Sequence, residues 1–184
     1  MTHPVELVAH ARELVAGHLA RPGGTSGDVA LRRALSSAYY GLFHQLTTAG
    51  SMPFAAGGEP LRFQAARAFS HTAMRKVCDA YVRSPTRPFP AALQHLNPGA
   101  PDKRLAAIAY AFAQLQEGRH AADYDLSTAI SAQYAAGLVR LAETALADFD
   151  AVQSLPETTV FLSLPETTVF LAALLLADRW ARRG

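Results

Sequence analysis

The run Leu31-Arg32-Arg33-Ala34-Leu35-Ser36-Ser37-Ala38-Tyr39-Tyr40-Gly41-Leu42-Phe43-His44 decides the fold class. At roughly 100° per residue, Leu31, Leu35, Ala38, Leu42 and Leu46 fall within about 80° of one another, the apolar stripe of a helix packed on a core. Roughly 200° around the same helix, Arg33, Ser37, Tyr40 and His44 share a second face about 16 Å long. One helix therefore carries a core face and a face of chemically versatile side chains.

Outward from this run, chain breakers and periodicity divide the sequence into about six helical segments. Pro4 to Ala20 forms the first, stopped by Arg21-Pro22-Gly23-Gly24. Asp28 is placed to cap the second, which runs to about Thr48 and ends at Gly50. Pro60 opens a third segment reaching Arg83. Five prolines between Pro85 and Pro101 forbid regular helix and predict a long loop. Asp102 is expected to cap a fourth helix to Glu117, with Gly118 as its left-handed terminator. After a connector, Arg119 to Asp125, a fifth runs from about Ser127 to Asp150.

The tail holds a tandem duplication: Ser154-Leu155-Pro156-Glu157-Thr158-Thr159-Val160-Phe161-Leu162 recurs as Ser163 to Leu171. Each copy opens with Ser-Leu-Pro-Glu, a capping box able to start a helix. Pro165 disfavours one continuous helix through both. The second copy is expected to start a terminal helix through Arg179 and Trp180, the first to be a looped insert. The predicted organisation is an all-α bundle over residues 1–152 and an extension over 153–184.

Composition agrees with this class. The 184 residues are 50% hydrophobic and 17% charged, enough to fill a core and too apolar for a disordered chain. Thirty-seven alanines favour closely packed helices, and the single cysteine, Cys78, excludes a disulfide scaffold or a cysteine-rich zinc site. The longest apolar run, Val169 to Ala177, is nine residues, against the roughly 20 that a membrane helix needs. With His3, Glu6, His10 and Arg12 near the N-terminus, where a signal peptide would be apolar, a soluble, cytoplasmic protein is expected.

Charge is distributed unevenly. Residues 1–119 hold 13 Lys plus Arg against seven Asp plus Glu, whereas residues 120–184 hold four against eight. Lys76 and Lys103 are the only lysines, so the basic side is nearly all arginine. The planar arginine fork grips phosphate and stacks on bases, which fits RNA or a nucleotide; a solvated surface in which arginine replaces lysine fits the same composition. On the polar face of the second helix, Arg33 is suited to neutralise a phosphate, Ser37 and Tyr40 to orient it and His44 to move a proton. The alternative places Tyr40 and His44 in a packing interface with Arg33 and Ser37 at its wet rim. Arg67, His71 and Arg75, at i+4 steps on the third helix, would extend an anion-binding groove or form a solvated basic face. The remaining histidines lack the paired spacing of a metal site, and no phosphate-loop or nucleophile-elbow motif occurs, so no metal or cofactor is expected.

The run from Leu31 to His44, followed by Arg119-His120-Ala121-Ala122-Asp123-Tyr124-Asp125, resembles the two signature segments of the HEPN superfamily, in its branch of small prokaryotic HEPN-like proteins. The resemblance covers Asp28 to Asp150. It implies an antiparallel helical bundle, frequently a homodimer. The superfamily includes metal-independent RNA-cleaving toxins and defence nucleases, together with non-catalytic members that bind RNA or nucleotides. Many act beside a nucleotidyltransferase partner that serves as antitoxin. Active members follow an arginine after four to six residues with a histidine, and this chain departs from that pattern, since Tyr124, Asp125 and Leu126 stand in those places after Arg119. His44, Asp123 and Arg119 are chemically sufficient as base, acid and phosphorane-stabilising cation. The same groups suit a structural use, in which Asp123 or Asp125 caps the fifth helix, Arg119 pairs with Asp123, and Tyr124 bonds into the second helix. In either use RNA or nucleotide contact would fall to Arg33, Ser37, Tyr40, His44, Arg67, His71, Arg75, Arg119 and Tyr124. A non-catalytic interaction module docking a partner protein is the competing expectation.

Overall fold

A computed structural model of the protein describes residues 3–20, 26–83, 103–153 and 166–180. The proline-rich stretch 85–101 and the first copy of the duplication lie outside the described residues. Within them the chain is an all-α helical bundle with no strand. Its helices are α1 (Pro4–Ala20), α2 (Ser26–Ser51), a 3-10 helix (Met52–Gly57), α3 (Glu59–Arg67), α4 (His71–Arg83), α5 (Lys103–Tyr124), α6 (Ala132–Gln153) and α7 (Glu166–Trp180).

Two compact units are formed, residues 1–45 with 111–147 and residues 46–110 with 148–184. In the first, Val8, Ala11 and Val15 of α1 are buried, as are Leu31, Leu35, Ala38 and Leu42 of α2, the stripe predicted from spacing. Phe112 and Leu115 of α5 and Leu138, Val139 and Ala142 of α6 complete this core. Gly41 shows how closely α1 approaches α2: a Cβ there would lie 2.5 Å from Val8 Cγ2 and 3.0 Å from the Pro4 carbonyl oxygen. The second unit buries Met74, Val77, Cys78 and Tyr81 of α4 with Val169, Phe170, Ala173 and Leu174 of α7. Tyr81 meets Phe170 edge to face, with ring centroids 5.0 Å apart. The terminal helix thus begins inside the second copy of the duplication, as Pro165 and the capping box lead one to expect, and its apolar face is core.

The expected third helix is two helices. It breaks at residues 68–70, where Ala68 ends α3, buried Phe69 packs against Gly50, and Ser70 Oγ accepts a bond from the Ala73 amide to cap α4. Arg67 consequently stands on a different helix from His71 and Arg75, and the three do not form the single i+4 face that spacing predicts.

Candidate functional site

The site grows from a correction to the fourth predicted helix. Gly118 does not terminate it: α5 runs on to Tyr124, and Arg119 to Tyr124 are helical rather than a connector. Gly118 is buried, and a Cβ on it would collide with Leu138 Cδ1 and stand 3.3 Å from Tyr134 Oη. Its role is close packing of α5 on α6, which a turn-based reading of glycine overlooks. With α5 extended, Arg119 and Asp123 are one helical turn apart.

Arg119 Nε lies 2.6 Å from Asp123 Oδ2, with the two side chains only 18% and 29% exposed. The Nε–H is not aimed at that oxygen, so the contact is an ion pair held by distance rather than a directed hydrogen bond. Arg119 Nη2 donates to Tyr40 Oη at 3.2 Å and to Tyr124 Oη at 3.4 Å. Its guanidinium also lies over the rings of Tyr39, Tyr40 and Tyr124, at 5.9, 5.5 and 5.3 Å. Burial opposes the charge on Arg119, but Tyr40, Asp123 and Tyr124 outweigh it and hold the guanidinium above its ordinary pKa. Asp123 is in turn fixed to α2, since Ser36 Oγ donates to Asp123 Oδ1 at 2.6 Å. Ser36 fills the bonding role, while Ser37 beside it is half-buried on the polar face.

Two further rings extend the cluster. His44 stacks on Tyr40 with centroids 5.9 Å apart and planes 24° from parallel. His120 tilts against Tyr124 at 5.1 Å. The result is a continuous ribbon of planar groups, His44–Tyr40–Arg119–Tyr124–His120, with Tyr124 65% exposed and both histidines exposed. Desolvation of the His44 ring lowers its pKa from the ordinary imidazole value. Arg33 is exposed two turns before Tyr40 on the same face of α2.

Sequence reasoning missed Arg32. Its side chain is 11% exposed and its Nε bonds Asp28 Oδ2 at 2.6 Å. Nη1 donates to the carbonyl oxygens of Ala121, Ala122 and Asp125 at 3.3, 3.0 and 3.0 Å, and Nη2 to that of Thr128 at 2.6 Å. Ala121 and Ala122 lie in the last turn of α5, where Ala121 O also accepts the Asp125 amide at 3.2 Å, and Asp125 and Thr128 lie just beyond it. Below them Asp125 closes a turn, accepting bonds from the amides and hydroxyls of Ser127 and Thr128. The bonds from Ser127 and then Thr128 pull its pKa down to about 2. Neither Asp123 nor Asp125 caps the next helix: Ser131 Oγ accepts the Tyr134 amide at 3.1 Å and begins α6.

The remaining predicted residues belong to the second unit. Arg67 is exposed at the end of α3, His71 is the half-buried first residue of α4, and Arg75 pairs with Asp79 at 2.8 Å. Among the described residues no group of three or more His, Cys, Asp or Glu side chains could hold a metal ion. Compared with models of known protein families, with curated proteins and with solved structures, the chain matches none.

Proposed function

We propose that the protein is an HEPN-like helical-bundle protein that binds RNA or a nucleotide on the α2–α5 ribbon. The observation that carries the reading is the continuity of His44, Tyr40, Arg119, Tyr124 and His120 on a surface with Arg33 beside it. Exposed rings offer π-faces on which bases stack irrespective of sequence, and a neighbouring arginine supplies the phosphate contact. Arg119 and Asp123 are engaged with each other, with two tyrosines and with Ser36, which supports a role in holding the surface rather than in cleaving a strand. The chain would act as a binding component of a prokaryotic toxin-antitoxin or defence module. By the same resemblance, its partners would be a second copy of itself and a nucleotidyltransferase-type antitoxin. The test is titration of a labelled RNA oligonucleotide without divalent metal, followed by gel analysis of the same sample. Binding with the RNA left intact is expected; no binding at low salt overturns the reading, and metal-free cleavage overturns its non-catalytic part.

One observation favours a second reading, the interaction module. The 3-10 helix and α3 bury no residue, and Met52, Phe54, Leu61 and Phe63 are exposed. Apolar side chains gathered on so short a stretch fit a partner-docking surface. Replacing Leu61 and Phe63 by serine and measuring mass in solution distinguishes the two, because RNA binding through the ribbon would be unaffected.

A further inference from the structure

We propose that Arg32 is a positioning residue for the α5 end of the binding surface, and that the Tyr124 and His120 half of the ribbon persists only while Arg32 caps that helix. The inference rests on the binding reading for its functional consequence and on geometry alone for its structural one. Tyr124 is the last residue of α5, and helix ends fray when their final carbonyls find no donor. Here one side chain from α2 supplies donors to that end: Arg32 bonds the carbonyl of Ala122, adds to the Asp125 amide on that of Ala121, and reaches those of Asp125 and Thr128 in the turn beyond. The favourable meeting of a cation with a helix C-terminus adds to these bonds. Asp28, one turn earlier on α2, fixes the fork by holding Nε.

The geometry explains why two adjacent arginines have different work. Arg33 faces solvent on the side of Tyr40 and His44, where a phosphate could reach it, whereas Arg32 is turned into the protein and spends its donors on backbone oxygens. Lysine at position 32 would keep the charge but lacks the planar fork that reaches four carbonyls at once. Removing Arg32 should therefore weaken ligand binding without removing a ligand contact. Removing Arg33 should instead take away a phosphate contact and leave the end of α5 intact.

The experiment compares Arg32→Ala, Arg32→Lys and Arg33→Ala in the full chain by amide hydrogen exchange and by anisotropy of a fluorescein-labelled single-stranded RNA of about ten nucleotides. Arg32→Ala should speed exchange at residues 122–125 by about tenfold or more while leaving α6 protected, because charge-assisted bonds are lost at one helix end. Arg32→Lys should show most of the same local loss. In the binding arm, Arg32→Ala should raise Kd with the salt slope unchanged, and Arg33→Ala should shallow that slope by about 0.7 with exchange unchanged. Unchanged exchange at 122–125 in Arg32→Ala, or a salt slope altered as in Arg33→Ala, overturns the proposal. Should Arg32→Ala unfold globally, Asp28→Asn, which loosens the fork without removing it, must give the local exchange pattern, and a uniform change across all helices overturns it. Absence of RNA binding by the wild type would sink the functional reading and leave the exchange result to decide the role of Arg32.

Discussion

Asp123 is the side chain on which most of the α2–α5 cluster turns, because it takes both the Arg119 ion pair and the Ser36 hydroxyl. Replacing it with alanine leaves a partly buried guanidinium without its counter-ion, and urea unfolding should show a loss of about 1–3 kcal/mol. Asp123→Asn keeps an acceptor for Ser36 and should lose less. Two titrations belong to single residues. Desolvation holds His44 below its ordinary pKa of 6.5, so the unfolded chain protonates first; stability should fall as pH drops below about 6.5 and level off below the folded-state pKa. His44→Gln should flatten that part of the curve. Asp125, at about 2 against an ordinary 3.8, has the opposite chemistry and a lower window, its contribution being complete above 3.8 and lost as pH falls through 2. At this scale the sequence was only partly legible. Spacing found the face of Arg33, Tyr40 and His44, but the identity of the working neighbours, Arg32 and Ser36, depends on the carbonyls and carboxylate of α5, which lie about 90 residues away in sequence.

Helices themselves were more legible than their ends. The stripe on α2 and the extent of α1 follow directly from apolar periodicity and flanking breakers, because both are local properties. Boundaries set by tertiary contact were not local. Gly118 looks like a terminator and is instead a packing residue, since only a glycine lets Leu138 come so near to α5. The same logic separates glycines by expected effect. Gly17 has nothing near its Cβ position and lies within α1, so Gly17→Ala should stabilise by about 0.5–1 kcal/mol through helix propensity. Gly41→Ala meets Val8 and a backbone oxygen and should destabilise by about 1–3 kcal/mol, both measured as shifts in urea midpoint at unchanged slope. Ser131, the true cap of α6, should cost about 1 kcal/mol when replaced by alanine, whereas no capping bond of α6 is lost in Asp125→Ala. Phe170→Ala tests the terminal helix: its edge-to-face contact with Tyr81 lies in the core of the second unit, and a loss of about 3–5 kcal/mol is expected.

For the molecule as a whole, an alanine-rich, half-apolar composition was a sound guide to an all-α chain. None of its described helices is long and apolar enough to cross a membrane. The basic excess of residues 1–119 acquires a finer grain once the contacts are known, because its arginines are not equivalent. Arg32 serves the backbone, Arg75 and Arg119 are paired with carboxylates, and Arg33 is exposed beside the ribbon. A charge count cannot make that distinction, which is why composition alone does not single out nucleic-acid binding over a solvated surface. The residues of the ribbon belong to the first unit, and Arg67, His71 and Arg75 to the second. The central claim is that this ribbon receives RNA by stacking, and the most direct measurement is the affinity of a labelled single-stranded RNA for wild-type protein and for Tyr124→Ala across about 50 to 200 mM salt. The account predicts wild-type binding that weakens as salt rises, and about a tenfold loss in Tyr124→Ala with helix content intact. Wild-type affinity in Tyr124→Ala, or no binding by either protein at the lowest salt, would contradict it.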